Sequence, residues 1–304
     1  MQIYLPVAEI SLDVFLLLGL GGLIGILSGM FGVGGGFLMT PLLVFIGVPA
    51  PVAVGTQANS VIATSVSGVM AHLPRGNVDI KMGLVLLAGG FAGSSLGIVI
   101  FSWLQSLGQI DFAIKLIYVA TLGTVGSLML LESSRAVLRR RRTLPTRGKL
   151  HQHGWLHGLP FKMRFRKSRL YISAILPLLV GFVVGVLSAM MGIGGGFMIV
   201  PAMIYLLSMP TTVVIGTSLF QIIFVSAYVT FLHAWENQTV DVILALILLF
   251  GSVVGVQIGT RLGARLKADA LRLLLALLVI GVGAKLTVDL FTPPVDLYVL
   301  GSGL

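Results

Sequence analysis

The chain has 304 residues and a net charge of +10; 57% of its residues are apolar, 10% are charged and none is cysteine. A soluble domain of this length carries about 25% charged residues, so the composition argues against a soluble protein and predicts an all-α polytopic membrane protein. The lack of cysteine excludes disulfides, thiolate chemistry and iron–sulfur clusters from this chain.

Hydropathy divides the chain into two groups of five apolar segments. The first ten residues contain no Lys or Arg, so the first segment is predicted to be a retained span and not a cleavable signal peptide. The expected segments of the first group are 11–30, 37–47, 51–72, 82–103 and 112–131. Those of the second group are 171–191, 197–208, 212–233, 241–260 and 270–291. We therefore predict an N-terminal transmembrane repeat at 1–131, a linker at 132–170 and a C-terminal transmembrane repeat at 171–304.

The linker accounts for the positive charge. Residues 132–170 hold 12 of the 20 Lys and Arg residues. The positive-inside rule favours a cytoplasmic linker beside anionic lipid. Nucleic-acid binding is disfavoured because the segment contains no folded module that presents a reading surface. The linker histidines at 151, 153 and 157 have no Cys or acidic partners nearby, which favours solvated side chains over a metal site.

The two halves repeat each other. Residues 25–41 read GILSGMFGVGGGFLMTP and residues 185–201 read GVLSAMMGIGGGFMIVP, an offset of 160. With two single insertions, the match continues from Gly55-Thr56 onto Gly216-Thr217, from His72 onto His233, from Asp79 onto Asp241, and from Gly89, Gly93 and Gly97 onto Gly251, Gly255 and Gly259. A glycine at every fourth position predicts two helices in close contact.

Loop charges predict the orientation. With the linker inside, both termini are expected outside, and the loop that holds Arg261 and Lys267 is expected inside. Each half then crosses the membrane five times if the short segments 37–47 and 197–208 span it, or three times if they are re-entrant. Either odd count inverts the second half. We therefore predict two inverted-topology repeats with glycine-broken or re-entrant first helices, an arrangement that many secondary transporters use for alternating access.

The glycine runs are predicted to break the first helix of each half. Each glycine costs roughly 1 kcal/mol of helix stability relative to Ala, so three together should unwind the segment. A short helix then restarts at Phe37 or Phe197, and the free N–H groups at its start form an anion site without any charged side chain. The predicted substrate contacts are Gly34, Gly35, Gly36 and Phe37 in the first half and Gly194, Gly195, Gly196 and Phe197 in the second. The alternative is that these glycines only allow tight packing.

The helix after each break carries polar side chains. We expect Thr56, Gln57 and Asn59 in the first half and Thr217, Ser218 and Gln221 in the second to contact substrate. Bonds between helices are the alternative, since an unpaired amide in apolar surroundings costs a few kcal/mol. His72 and His233 either titrate during transport, as a proton-coupling pair, or are structural. We predict no catalytic residue, metal site or cofactor.

These motifs resemble a known family. GMFGVGGGFLMTPLL followed by VGTQANS, and MMGIGGGFMIVPAMI followed by IGTSLFQ, are similar to the TSUP family, the TauE/SafE-type sulfite and organosulfonate exporters. The resemblance covers both halves. It implies an integral protein of the prokaryotic plasma (inner) membrane that moves small sulfur-containing anions such as sulfite, thiosulfate or organosulfonates, in either direction and without ATP. Phe220 stands opposite Asn59, a departure from the repeat that makes the halves unequal.

Two other functions stay open on the sequence alone. One is a passive anion channel, which a continuous polar lining would suit. The other is a membrane enzyme or subunit that handles lipid or sulfur intermediates. Against an enzyme, the spans contain no zinc-type cluster, no Ser–His–Asp constellation and no buried carboxylate pair. The glycine runs lack the GK[ST] of an ATP-binding loop.

Overall fold

The computed structural model describes residues 2–31, 35–74, 76–140, 161–165, 167–168, 170–207, 209–263 and 268–291. The first half contains strands β1 (Gln2–Leu5) and β2 (Ile10–Asp13) and helices α1 (Val14–Phe31), α2 (Gly36–Phe45), α3 (Ala50–His72), α4 (Ile80–Ser106) and α5 (Ile110–Arg140). The second contains β3 (Lys162–Phe165), β4 (Leu170–Ser173), α6 (Ile175–Met191), α7 (Gly196–Tyr205), α8 (Thr211–Leu232), a π-helical turn (His233–Asn237), α9 (Val242–Gly263) and α10 (Ala268–Phe291). Each predicted segment falls on one of these helices, so the all-α polytopic fold is confirmed.

Among the described residues, five helices are long and apolar enough to cross a membrane. These spans are Ile80–Ser106, Ile110–Leu131, Val213–Asn237, Val242–Leu262 and Leu274–Phe291. The chain is therefore an integral membrane protein. At about 1.5 Å per residue, α2 and α7 are about 15 Å long, roughly half the thickness of the hydrocarbon core. They are too short to cross it.

The described residues include two β-hairpins that the sequence did not lead us to predict. In the first hairpin Gln2 pairs with Asp13, and in the second Lys162 pairs with Ser173, in the same antiparallel register. The offset of 160 matches that of the glycine motifs, so the repeat extends to these hairpins. The second hairpin begins inside the segment 132–170 that we predicted to be linker. Its many Lys and Arg residues conceal the relationship in a hydropathy comparison. The central linker residues 141–160 and the tail 292–304 lie outside the described part of the chain.

The first helix of each half packs against the fourth helix of the other half. A Cβ at Gly25 of α1 would collide with the carbonyl of Ser252 in α9, and one at Gly185 of α6 would collide with the carbonyl of Gly90 in α4. The predicted glycine stripes lie at these contacts: glycines 89, 93 and 97 meet α6, and glycines 251, 255 and 259 meet α1. The same residue pairs thus occur twice with the halves exchanged, and the packing prediction is confirmed.

A buried carboxylate ties a hairpin to two helices at one end of α3. Oδ2 of Asp241, just before α9, accepts a hydrogen bond from the backbone N–H of Val7 in the first hairpin at 3.0 Å. The backbone N–H of Asp241 donates to Oγ1 of Thr56 at 2.9 Å. We call this cluster the Asp241 clasp. Helices α1, α3 and α9 all begin beside it.

The matching cluster lies at the other end of α3. Oδ2 of Asp79, which caps α4, accepts from the backbone N–H of Ser168 in the second hairpin at 3.0 Å and from its hydroxyl at 2.6 Å. The backbone N–H of Asp79 donates to Oγ1 of Thr217 at 3.0 Å. We call this cluster the Asp79 clasp. Helices α4, α6 and α8 begin beside it, so α1 and α6 begin at opposite ends of the bundle.

Candidate functional site

The two glycine breaks meet inside the bundle. Gly35 and Gly195 stand immediately before α2 and α7 with φ of 65° and 78°, in the left-handed region that favours glycine. The rings of Phe37 and Phe197, one residue into each short helix, stack with centroids 4.5 Å apart and an interplanar angle of 18°. Both rings are buried. The starts of the two short helices therefore lie against each other.

Close backbone contacts fix this meeting point. A Cβ at Gly36 would lie 3.0 Å from the carbonyl oxygen of Ile193 in the other break and closer still to the side chain of Val61 in α3. A Cβ at Gly194, whose φ is 68°, would collide with the hydroxyl of Ser226 in α8. A larger residue at Gly36 would push the two breaks apart, and one at Gly194 would push the second break away from α8. The predicted contact residue Gly34 lies outside the described residues.

Polar groups without partners surround the second break, which comprises residues 192–196. At the start of α7 the N–H groups of Met198 and Ile199 donate to the carbonyl of Gly195, which leaves those of Gly196 and Phe197 without an acceptor in their own helix. Within the described residues, Oγ of Ser226 is buried and makes no hydrogen bond, and Oε1 of Gln57, which can only accept, is buried without a donor. A buried polar group left unsatisfied costs about 1–3 kcal/mol, so the free hydroxyl of Ser226 at this break indicates a ligand site. All of these groups are uncharged.

The predicted polar residues divide into two sets. Gln57 reaches the second break, where its Nε2 donates to the carbonyl of Gly192. Thr56 and Thr217 do not, because their hydroxyls belong to the clasps. Asn59 donates to the carbonyl of Thr56 at 3.4 Å, and Ser218 to that of Ile215 at 2.9 Å, so both bond within their own helices.

Gln221 faces α4. Its side chain is fully buried against Gly90 of α4, and neither of its amide atoms has a hydrogen-bond partner among the described residues. The position matching Gln221 in the first half is Ser60, which donates to the carbonyl of Gln57 at 2.7 Å. Phe220, which departs from the repeat, packs its ring against Gly83 of α4, where a Cβ would otherwise stand.

The two histidines have different surroundings. His233 is fully buried; its Nε2 lies 2.9 Å from the carbonyl of Ala189, and its ring packs edge-on against Phe101. A carbonyl only accepts, so Nε2 carries a proton and Nδ1 is left to accept from Asn237 at 3.4 Å. His72 is half-buried at the end of α3. The proposed role of this pair in proton coupling stays a prediction.

Sequence reasoning assigned no role to several groups that the fold brings together. Tyr118 of α5 is buried, and its hydroxyl reaches the end of α6. The sequence feature that could have identified Tyr118 is that it is a lone tyrosine inside an apolar span. A buried phenol usually finds a hydrogen-bond partner. Asp79 and Asp241 matched in the repeat, yet only the fold shows that each bonds to a hairpin. Among the described residues no group of three or more His, Asp or Glu side chains could hold a metal ion.

Comparison with known proteins identifies the family. The model of the sulfite exporter TauE/SafE family matches residues 17–286. A probable membrane transporter protein of Xylella fastidiosa strain 9a5c is 33% identical over 78% of this chain and 80% of its own length. A probable membrane transporter protein of Bacillus subtilis, YunE, is 27% identical over 89% of this chain and 96% of its own. No solved structure matches the chain. The chain belongs to the TauE/SafE family and is a membrane transporter.

Proposed function

We propose that this member of the TauE/SafE family is a secondary transporter that binds a small sulfur-containing anion at the second glycine break and moves it by alternating access. The observation that carries the proposal is the buried, unpartnered hydroxyl of Ser226, which lies where a Cβ at Gly194 of the second break would stand. The Ser226 hydroxyl and the free N–H groups of α7 can donate to an anion, and the positive end of the helix dipole favours one.

The chemistry of the site fits an oxyanion. Sulfite, thiosulfate and sulfonates present several acceptor oxygens around one sulfur, and the break offers several neutral donors at close quarters. No Lys or Arg is among the buried residues of the described ranges, so binding would depend on hydrogen bonds and dipoles. Neutral donors suit transport because they bind an anion firmly enough to dehydrate it without holding it permanently. The choice of sulfur-containing anions comes from the family.

Alternating access is supported by the exchanged packing of the halves. Each clasp joins a hairpin and the third helix of one half to an aspartate of the other half, and the two clasps lie at opposite ends of α3 with the breaks between them. Both clasps are intact in this structure, and in the proposed cycle this is the state closed at both ends. Opening one clasp while the other stays closed would expose the breaks to one side of the membrane at a time. This is the motion expected of inverted repeats around a fixed central site.

The proposed orientation follows the charges. The basic linker lies in the cytoplasm beside anionic lipid, which puts the Asp79 clasp at the cytoplasmic face and the Asp241 clasp, with both termini, at the outer face. The membrane is the prokaryotic plasma membrane. The hairpin of the Asp79 clasp adjoins the linker, and this proximity connects the linker to the inner clasp.

The test is a flux and binding screen on the purified chain. Sulfite, thiosulfate, sulfoacetate, taurine and sulfate are offered to proteoliposomes with and without proton and sodium gradients. We expect saturable flux of at least one sulfur-containing anion, lost in Gly195→Val because a β-branched residue at φ 78° is strained and would collide with Val184. Gly281→Val is the matched control, since no atom lies within 4 Å of a Cβ at Gly281.

Three results would overturn the proposal. Unimpaired flux in Gly195→Val would remove the break from the transport path. Single-channel currents in planar bilayers would replace the carrier with a passive channel. A wild-type protein that neither binds nor moves any of the five anions would refute the substrate class.

A further inference from the structure

The end of α6, where the second break begins, is capped by side chains from three other helices. The last carbonyls of an α-helix have no partner inside the helix. Here the carbonyl of Met191 accepts from the hydroxyl of Tyr118 at 2.7 Å and from that of Thr40 at 3.3 Å. The next carbonyl, that of Gly192, accepts from Gln57. Helices α5 and α2 therefore each provide a donor to the Met191 carbonyl, and α3 provides one to the Gly192 carbonyl.

The repeat does not supply these donors to the first break. The residue that matches Thr40 is Val200, which has no hydroxyl, and the sequence of α10 contains no tyrosine to match Tyr118. The residue that matches Gln57 is Ser218, whose hydroxyl is bonded within its own helix. The capping is thus a property of the second break and not of the repeated unit.

Electrostatics gives this capping a consequence for anion binding. The C-terminal end of a helix carries about half a negative charge on its free carbonyls, which would repel an anion. In the second break this end lies only a few residues before the start of α7, where the proposed anion binds. Donors on the Met191 and Gly192 carbonyls offset the repulsion, and they also fix the backbone orientation of the residues that follow.

We propose that Tyr118 is a positioning residue for anion binding at the second break. It acts through the Met191 carbonyl, with Thr40 and Gln57 as its neighbours in the cap. The cap keeps the carbonyls pointing away from the anion, and it keeps the N–H groups of the following residues pointing towards the anion. Its hydroxyl makes the shorter of the two bonds to that carbonyl, and its side chain is buried. This inference rests on the proposed function, because it concerns the same site.

The experiment compares Tyr118→Phe with the full-length wild type in detergent. Thiosulfate binding is measured by titration calorimetry, and backbone amide exchange is followed by mass spectrometry. Without its hydroxyl the ring still fills the same space, so we expect the fold to persist. Binding should weaken about five- to tenfold, the effect of one hydrogen bond, and exchange should quicken in residues 189–199 only.

The control is Thr121→Val, one turn along α5. The Thr121 hydroxyl donates to the carbonyls of Ile117 and Tyr118 in its own helix and touches only the sulfur of Met191. We expect this variant to bind thiosulfate as the wild type does and to leave the exchange of residues 189–199 unchanged. A merely structural role for the α5 hydroxyls would instead produce equal effects in the two variants.

The outcomes separate the two proposals. If the wild type binds and Tyr118→Phe binds equally well, the positioning role is refuted while the site stands. If binding weakens without faster exchange in residues 189–199, Tyr118 does not act through the break and the inference is refuted. If the wild type binds none of the screened anions, the proposed function fails, and the positioning role fails with it.

Discussion

Replacing Asp241 with Asn tests the clasps as gates. Asp241 is fully buried, and its carboxylate accepts from the N–H groups of Val7 at 3.0 Å, Ile243 at 3.1 Å and Leu244 at 3.0 Å. Asparagine keeps one oxygen, which continues to cap α9. Its NH2 group then faces the N–H of Val7, so the bond between hairpin and helix is lost.

The size of the effect follows from that one bond. A hydrogen bond to a charged group contributes about 1.5–3 kcal/mol, so the Asp241 clasp should open about 10- to 100-fold more often in Asp241→Asn. Asp79→Asn should do the same at the other end of α3, where the carboxylate accepts both the N–H and the hydroxyl of Ser168. The two variants therefore shift the conformational equilibrium in opposite directions.

The assay uses the lack of cysteine in the chain. Ser226→Cys introduces a single thiol beside the second break, and membrane-impermeant reagents are applied to either face of oriented vesicles. We expect Asp241→Asn to speed labelling from the outer face and Asp79→Asn to speed labelling from the cytoplasmic face. Asp111→Asn, an exposed carboxylate at the start of α5, is the control and should change neither rate. Faster labelling from the same face in both clasp variants, or in neither, would refute the gating argument.

Three further predictions concern the site, the packing and the orientation. Ser226→Ala should weaken anion binding about fivefold in calorimetry, whereas Ser218→Ala, whose hydroxyl is bonded within its helix, should not; equal affinities would exclude Ser226 from the site. Gly255→Leu should lower the thermal unfolding midpoint in detergent because its Cβ would collide with the carbonyl of Gly22, whereas Gly123→Leu, with no atom within 4 Å, should leave it unchanged; equal midpoints would contradict the close packing of α1 and α9. Tags at both termini should react with external reagents in intact spheroplasts, and protection of either tag would contradict the orientation.

Much of the fold could be predicted because membrane insertion constrains the sequence strongly. Hydropathy located all ten helices, and the glycine stripes at every fourth residue predicted which surfaces approach closely. Hydropathy did not show whether α2 and α7 cross the membrane. The structure answers this question, because each of these helices is only ten residues long. The hairpins were missed because their signal is short and the second is rich in basic residues.

The site was harder to predict because proximity along the chain is a poor guide to proximity in space. Thr56 follows the first break closely in sequence, but its hydroxyl bonds to Asp241 in the clasp, whereas the side chain of the next residue, Gln57, bonds to the second break. Tyr118 lies more than 70 residues from Met191 and contacts it directly. Sequence reasoning placed the candidate site at the glycines, and substrate contact there stays a prediction. It could not locate side chains whose place depends on packing between the halves.

The symmetry of the clasps makes a last prediction, on the double variant Asp79→Asn/Asp241→Asn. In each clasp the carboxylate accepts a backbone N–H of a hairpin, and Asp79 accepts the Ser168 hydroxyl as well, so both substitutions should destabilise the doubly closed state. The opposing shifts then partly cancel in the balance between the outward-open and inward-open states, while both open states become more populated than in the wild type. Labelling of the thiol at position 226 should therefore quicken from both faces, with a ratio of rates between those of the two single variants. Such a result would separate the matched clasps, which set the balance between the open states, from the unmatched cap of Tyr118, Thr40 and Gln57, which acts on the anion. A double variant that labels from one face only would show that the two ends are energetically unequal and that one clasp alone controls access.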